Sequence, residues 1–266
     1  MHPILFRFAH PLDGRLIEIH SYGVLILLGF VAGALLVRWN ARQRVLTIDK
    51  REIVWLTGIV LACSMAGAKI FDVLVMLPDI IATGRSLLEA FTGGGFMFYG
   101  GVAGALIGFV WYCCTYRLDI PAWLDLYALL LALGQVFGRM GCFMAGCCYG
   151  APTDCPLGLV FDHPDNAVTP RGLALHPTQL YEAGFALALF VLLQMLWRRR
   201  RPRMPGGLMA VWVLGYAVFR FGVEFIRFDP RGGLLLGLLT PSQVVSLVLV
   251  VGVAIWFGSH RRRGRT

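Results

Sequence analysis

In the stretch YAVFRFGVEFIR, Tyr216, Arg220 and Glu224 recur every four residues within an otherwise apolar segment, so a helix would carry them on one stripe. An arginine and a glutamate one turn apart can neutralise each other. The pair could pin helix packing, or Glu224 could aim Arg220 while its planar guanidinium receives a phosphate. A second constellation is GRMGCFMAGCCYG, Gly138 to Gly150, where Arg139 shares a run of small residues with Cys142, Cys147 and Cys148. Its residue types suit a disulfide clamp, a metal site or the mouth of an anion site. In LHPTQLYEA, His176 precedes Pro177, with Gln179 and Glu182 on the first turns of a following helix. Pro177 suits a helix start, and His176 suits either chemistry or an interfacial position with its ring satisfied. GGGFMFYGGVAGALIGF sets Tyr99 beside Gly100 and Gly101. Gly100, Gly104 and Gly108 have the small-xxx-small spacing of close helix contact, whereas Gly93 to Gly95 suit irregular backbone beside a ligand.

The elements that must position these groups are written in the hydropathy. With 58% hydrophobic residues, 15% charged residues and a mean hydropathy of +0.70, the 266-residue chain is too apolar for an ordinary soluble domain. Stretches long enough to cross about 30 Å of hydrocarbon fall near 21–37, 53–77, 96–116, 121–138, 178–197, 207–228 and 234–257. The expected fold is an all-α integral membrane protein of about seven transmembrane helices, forming a single polytopic domain over 1–266. The N-terminal stretch, with Pro3, Pro11 and acidic residues, lacks the basic start and unbroken apolar core of a cleavable signal peptide.

Basic residues orient the spans. The loop 38–52, the turn at Arg117, the loop 198–206 and the C-terminal tail fall on one side and hold 15 of the 24 lysines and arginines. The positive-inside rule puts that side in the cytoplasm, leaving the N-terminus periplasmic and the C-terminus cytoplasmic. The net charge of +9 is therefore mostly a belt facing anionic lipid headgroups, and nucleic-acid binding is excluded as a function class.

Ionisable groups within spans cost roughly 2.5–3.5 kcal/mol each on insertion scales and need a reason. In this orientation Tyr22, Lys69, Asp72, Tyr99, Arg139, His176, Glu182, Tyr216, Arg220, Glu224 and Arg227 all fall at the outer ends of their spans, the pattern of a shared outer-leaflet cavity. Asp125 lies at the cytoplasmic end of span four and reads as structural. A small transporter would need polar groups through both leaflets, and apart from Asp125 the cytoplasmic halves hold almost none.

Together SYGVLILLGF, FMFYGGVAGALIG, GRMGCFMAGCCYG, HPTQLYEA, YAVFRFGVEFIR and LTPSQVVSL, in this order over the whole chain, resemble the prolipoprotein diacylglyceryl transferase family of the bacterial inner membrane. The resemblance implies transfer of the diacylglyceryl group of phosphatidylglycerol to the lipobox cysteine thiol of a preprolipoprotein. A thioether forms and glycerol 1-phosphate leaves, with no cofactor and no metal. It implies catalytic roles for Tyr99, Arg139, Arg220 and Glu224, and substrate contacts for Tyr22, Gly100, Gly101, Gly150, His176 and Tyr216. Arg139 and Arg220 would bracket the lipid phosphate.

The chain departs from the family pattern in its signature. Tyr99 replaces a histidine before the glycine pair, Cys142 a common asparagine and Cys147 an acidic residue, while Lys69 stands for an arginine and Ser242 for a glycine. These changes leave open a diverged member that moves a lipid-derived group to another acceptor. For Cys142, Cys147, Cys148 and Cys155, expected on the oxidising outer side, free thiols, including a redox-active or acyl-carrying one, are one alternative, and one or two disulfides are the leading expectation. Zinc ranks below it because no C-x-x-C pair occurs and only His163 and His176 are near in sequence.

Overall fold

The computed structural model describes residues 2–9, 16–43, 50–84, 86–93, 95, 97–163, 169–199, 204–227 and 239–263. A hairpin of β1 (Ile4–Ala9) and β2 (Leu16–His20) leads into α1 (Ser21–Gln43) and α2 (Lys50–Thr83). After them come α3 (Leu87–Thr92), α4 (Phe98–Thr115), α5 (Ile120–Ala145), β3 (Leu159–Val160), β4 (Ala174–Leu175), α6 (Thr178–Arg198), α7 (Gly207–Val223) and α8 (Pro241–Arg263). All but α3 are long and apolar enough to cross a membrane, giving seven candidate spans in an all-α membrane fold. The N-terminal hairpin was not expected. Its alternation is interrupted by charge, and Arg7 and Glu18 face each other across the strands with Arg7 Nε donating to Glu18 Oε1 at 3.0 Å.

Several helices outrun their hydropathy. The difference that bears on the site is at α5, expected to end near residue 138 and in fact helical to Ala145. Arg139 and Cys142 therefore lie inside a helix rather than on the loop after it. Phe143 carries the apolar pattern onward by packing edge-on against Phe161, ring centroids 6.1 Å apart. The expected start of the last span at 234 lies outside the described residues; its helix begins at Pro241, a residue suited to a first turn.

The chain forms two compact units: Met1–Leu36 with Leu124–Thr266, and Val37–Trp123. In the first, α1 and α5 meet through glycines. A Cβ on Gly29 would lie 2.9 Å from Phe137, and one on Gly33 2.8 Å from Leu130, so only glycine permits this approach. The buried Asp125 carboxylate accepts from the backbone N–H groups of Gly206, Leu208 and Met209 at 3.0, 2.8 and 3.2 Å. It thus fixes the positive N-terminus of α7 against α5, the structural role expected of it.

In the second unit, α2 packs along α4 on the Gly100, Gly104 and Gly108 stripe, where side chains would run into Gly67, Phe71 and Cys63. The same unit buries Lys69 with Asp72. Lys69 Nζ donates to Asp72 Oδ2 at 3.2 Å and to the carbonyls of Gly93 and Gly95 at 2.9 and 3.3 Å, which uses all three ammonium donors.

Candidate functional site

The arginine of α5 and the acid of α6 meet in the first unit. Arg139 Nη2 lies 2.7 Å from Glu182 Oε2, and Arg227 Nη1 lies 2.9 Å from Glu182 Oε1. One carboxylate thus stands between two guanidiniums, its side chain 2% exposed. Arg139 also lines a small cavity with Gln135, Glu182, Tyr216 and Phe219. Tyr216 is held in that wall by stacking on Trp212, rings 5.6 Å apart and nearly parallel.

The expected i, i+4 pair forms. Arg220 donates through Nη1 to Glu224 and through Nη2 to Ser242 Oγ at 3.0 Å, all within the first unit. Ser242 therefore has a use here: it takes one edge of the fork that Glu224 orients. At Glu224 the helix tightens into a 3-10 turn, Glu224–Ile226, which redirects the chain so that Arg227 reaches Glu182.

Gly150 gives the site its backbone frame. Its N–H donates to His176 O at 2.8 Å, Ala151 N donates to Ile226 O at 2.8 Å, and Gly150 bridges Arg227 across an antiparallel pair. A Cβ at Gly150 would lie 2.7 Å from both His176 Cβ and Ile226 O. The loop after α5 threads between the start of α6 and the end of α7 only because this residue has no side chain. His176 is anchored rather than isolated, with Nδ1 3.3 Å from the Tyr181 hydroxyl and its N–H given to Ala151 O at 3.0 Å.

Cysteines crowd the same end of α5. Gly146, at φ +71°, ends the helix in a left-handed turn, with Cys147 N donating to Cys142 O at 3.1 Å and Gly146 N to Phe143 O at 3.2 Å. This is a Schellman motif, whose geometry brings the side chains of its third-last and second-following residues together, here Cys142 and Cys147. Cys148, itself at φ +65°, adds a third thiol, and the three Sγ atoms lie within 4.8 Å of one another. None of the seven cysteines is in a disulfide, so the expected clamp is not what the structure holds, and the exposed Cys155 stands outside the thiol cluster. The reason is geometric: the turn converges three sulfurs instead of matching two. Tyr22 packs its ring on Gly141, where a Cβ would lie 3.0 Å from Cδ2, and has Arg139 and the three thiols as electrostatic neighbours.

Tyr99, Gly100 and Gly101 belong to the second unit. Tyr99 is exposed on the first turn of α4, edge-on to Phe98, while the two glycines are buried where α4 meets α2. Neither Glu182 nor Arg227 is among the site residues that the motifs imply. Both are polar groups at span ends, but nothing in their spacing says that one carboxylate joins Arg139 to Arg227.

Sequence comparisons agree with the geometry. Residues 8–258 match the family described as prolipoprotein diacylglyceryl transferase. A phosphatidylglycerol–prolipoprotein diacylglyceryl transferase of Clostridium tetani is 35% identical over 259 residues, covering 96% of this chain and 97% of that protein. One of Clostridium perfringens, numbered 2, is 33% identical with 94% of each covered, and one of Geobacter sulfurreducens is 31% identical with 98% and 96% covered. The chain belongs to the prolipoprotein diacylglyceryl transferase family.

Proposed function

We propose that this membrane protein transfers the diacylglyceryl group of phosphatidylglycerol to the lipobox cysteine thiol of preprolipoproteins. The observation that carries the reading is a small cavity of about 10 Å³, lined by Arg139, Glu182 and Tyr216, that shares part of its lining with an apolar groove. Phe185 and Phe219, stacked with centroids 4.0 Å apart, border both the Arg139–Glu182–Tyr216 cavity and a groove of about 450 Å³ between α6 and α7, lined by Leu189, Leu192, Val211, Leu214 and Val218. An amphiphile with an anionic head and acyl tails has the matching polarity.

In this reading the lipid phosphate lies against Arg139 and Arg220, and Glu182 and Glu224 aim the two guanidiniums. The acceptor sulfur attacks the glyceryl carbon and the carbon–oxygen bond to phosphate breaks. Charge then accumulates on the departing glycerol 1-phosphate, where fixed donors in a dry cavity stabilise the transition state most. Tyr216 and Tyr22 complete the wall around the headgroup, and Gly150 and His176 hold the backbone that frames it. Tyr99, with Gly100 and Gly101 behind it, is assigned to the site by its motif position. The seven spans act as one polytopic domain of the bacterial inner membrane, N-terminus in the periplasm and reaction toward the outer leaflet, as the basic residues require.

Incubating the purified protein with phosphatidylglycerol and a lipobox peptide tests this reading by mass spectrometry. The peptide should gain a diacylglyceryl group on its cysteine, resistant to thioester cleavage, and a cysteine-to-serine peptide should gain nothing. An unmodified cysteine peptide in the presence of phosphatidylglycerol would overturn it.

A further inference from the structure

The thiol cluster is unused by the phosphate site, and its construction points to a ligand. Cys142, Cys147 and Cys148 converge because a Schellman turn and a left-handed residue place them so, and the Cys147 thiol donates to Cys142 O at 3.8 Å. The turn is held from α6: the fully buried Gln179 donates Nε2 to Cys147 O at 2.7 Å, and the fully buried Thr178 donates Oγ1 to Cys148 O at 2.7 Å. The other amide atom of Gln179, Oε1, is buried without a hydrogen-bond partner, an acceptor left over beside the cysteine turn.

Three sulfurs within 4.8 Å suit a metal better than a cross-link. A disulfide needs two sulfurs at about 2.05 Å and would strand the third. Sulfurs at the corners of a zinc tetrahedron with bonds of about 2.3 Å stand roughly 3.8 Å apart, a small contraction from the arrangement seen. A soft, thiolate-only donor set selects Zn²⁺ or a similar closed-shell cation. Among the described residues no fourth ligand joins the three, and three protein ligands with a fourth position left for a bound molecule is the pattern of a zinc that acts on that molecule, not one that merely braces a fold.

We propose that Cys142, Cys147 and Cys148 form a zinc site whose fourth position takes the acceptor thiol. The second half of this proposal rests on the reading that the acceptor is a thiol. The site lies beside the phosphate-binding residues: Cys142 is one helical turn from Arg139, and Cys142 and Cys148 are electrostatic neighbours of the Arg139 guanidinium. A thiol that coordinates zinc loses its proton. The S–H proton passes to water, and the zinc-held sulfur supplies the electron pair of the new sulfur–carbon bond. The carbon–oxygen bond breaks with its pair going to the phosphate, which leaves as glycerol 1-phosphate. Nothing is oxidised or reduced. The cation would supply the activation that a neighbouring base supplies elsewhere, in a chain where the histidine before the glycine pair is Tyr99. The missing C-x-x-C spacing ranks zinc below a disulfide in the sequence, but C-x4-C-C across a Schellman turn assembles the same donors.

The test uses full-length protein purified without chelator. Metal analysis should find about one zinc per chain. Cys142→Ser, Cys147→Ser and Cys148→Ser should each lose most of it, and Cys155→Ser should keep it. Wild-type protein exchanged into Co²⁺ should show thiolate-to-cobalt charge transfer in the near ultraviolet, and a lipobox peptide should shift its visible bands while the cysteine-to-serine peptide does not. Wild-type protein without zinc or a cobalt spectrum, or mass mapping that finds two of the three cysteines cross-linked in native membranes, overturns the site. A cobalt spectrum unmoved by the cysteine peptide overturns the role of the fourth position. Spectral response to the thiol with no lipid transfer by the zinc protein would support the zinc–thiol site and count against the proposed reaction instead.

Discussion

Two buried ion-paired regions, built from similar residue types, differ in what they leave for a ligand. In the unit Val37–Trp123, Lys69 gives its three donors to Asp72 and two glycine carbonyls, and the side chains of the pair are 7% and 8% exposed. Its charge is matched and its donors are spent. In the other unit Arg139 shares Glu182 with Arg227, keeps a side chain 20% exposed, and lines a cavity. A guanidinium has five donors in a fixed plane, so a carboxylate can aim it without exhausting it, whereas an ammonium held three ways is finished. Buried charge is thus not itself a sign of function. Donors left over beside a cavity are.

The largest effect expected from breaking this comparison is on stability in the saturated region. Asp72→Asn leaves the Lys69 ammonium buried without its counter-charge and should cost about 3–5 kcal/mol, seen as a lower unfolding midpoint in detergent. Diacylglyceryl transfer per folded molecule should stay near the wild-type value, and a selective loss of turnover would move Lys69 and Asp72 into the site.

Gly150→Ala sharpens the other side. The added methyl meets His176 Cβ and Ile226 O at 2.7 Å, so the loop must shift, at about 1–3 kcal/mol. Since the same loop bridges Arg227, turnover should fall together with stability. A variant of normal stability and activity would show that the backbone frame is looser than its contacts indicate.

Below that comes Glu224→Gln, which keeps the shape but removes the charge that aims Arg220. Transfer per folded molecule should fall on the order of tenfold, about 1.4 kcal/mol, with a lower unfolding midpoint because Arg220 is then buried without its counter-charge. Asp125→Ala has the smallest effect on transfer: loss of the anchor at the start of α7 strands backbone N–H groups at about 1–3 kcal/mol but should leave turnover per folded molecule intact.

Much of this arrangement was legible in the chain because short-range rules govern it. The spans follow from runs of apolar residues, the Arg220–Glu224 pair from helical spacing, and the α2–α4 contact from glycines at four-residue intervals. The extension of α5 past Arg139 was hidden, since an arginine among glycines reads as a helix end. Only the packing of Phe143 on Phe161 and the turn at Gly146 show where the helix stops. The Glu182 bridge was hidden for another reason. It joins residues 43 and 45 positions apart on three elements, and no local periodicity encodes such a meeting. The three-thiol cluster lay between these cases, its residues plain in the sequence and their convergence set by two left-handed residues, Gly146 and Cys148.

The central claim is that guanidinium geometry, not charge alone, holds the lipid phosphate, and the direct measurement is phosphatidylglycerol-dependent diacylglyceryl transfer by Arg139→Lys and Arg220→Lys, normalised to folded protein. Lysine preserves the charge and can still pair with Glu182 or Glu224, but it lacks the planar fork. Losing a preorganised donor at a developing anion costs about 2.7–4 kcal/mol, so each variant should be slowed on the order of a hundred- to a thousand-fold. Near wild-type turnover in both would contradict the account, leaving these arginines as helix pins and the phosphate site elsewhere.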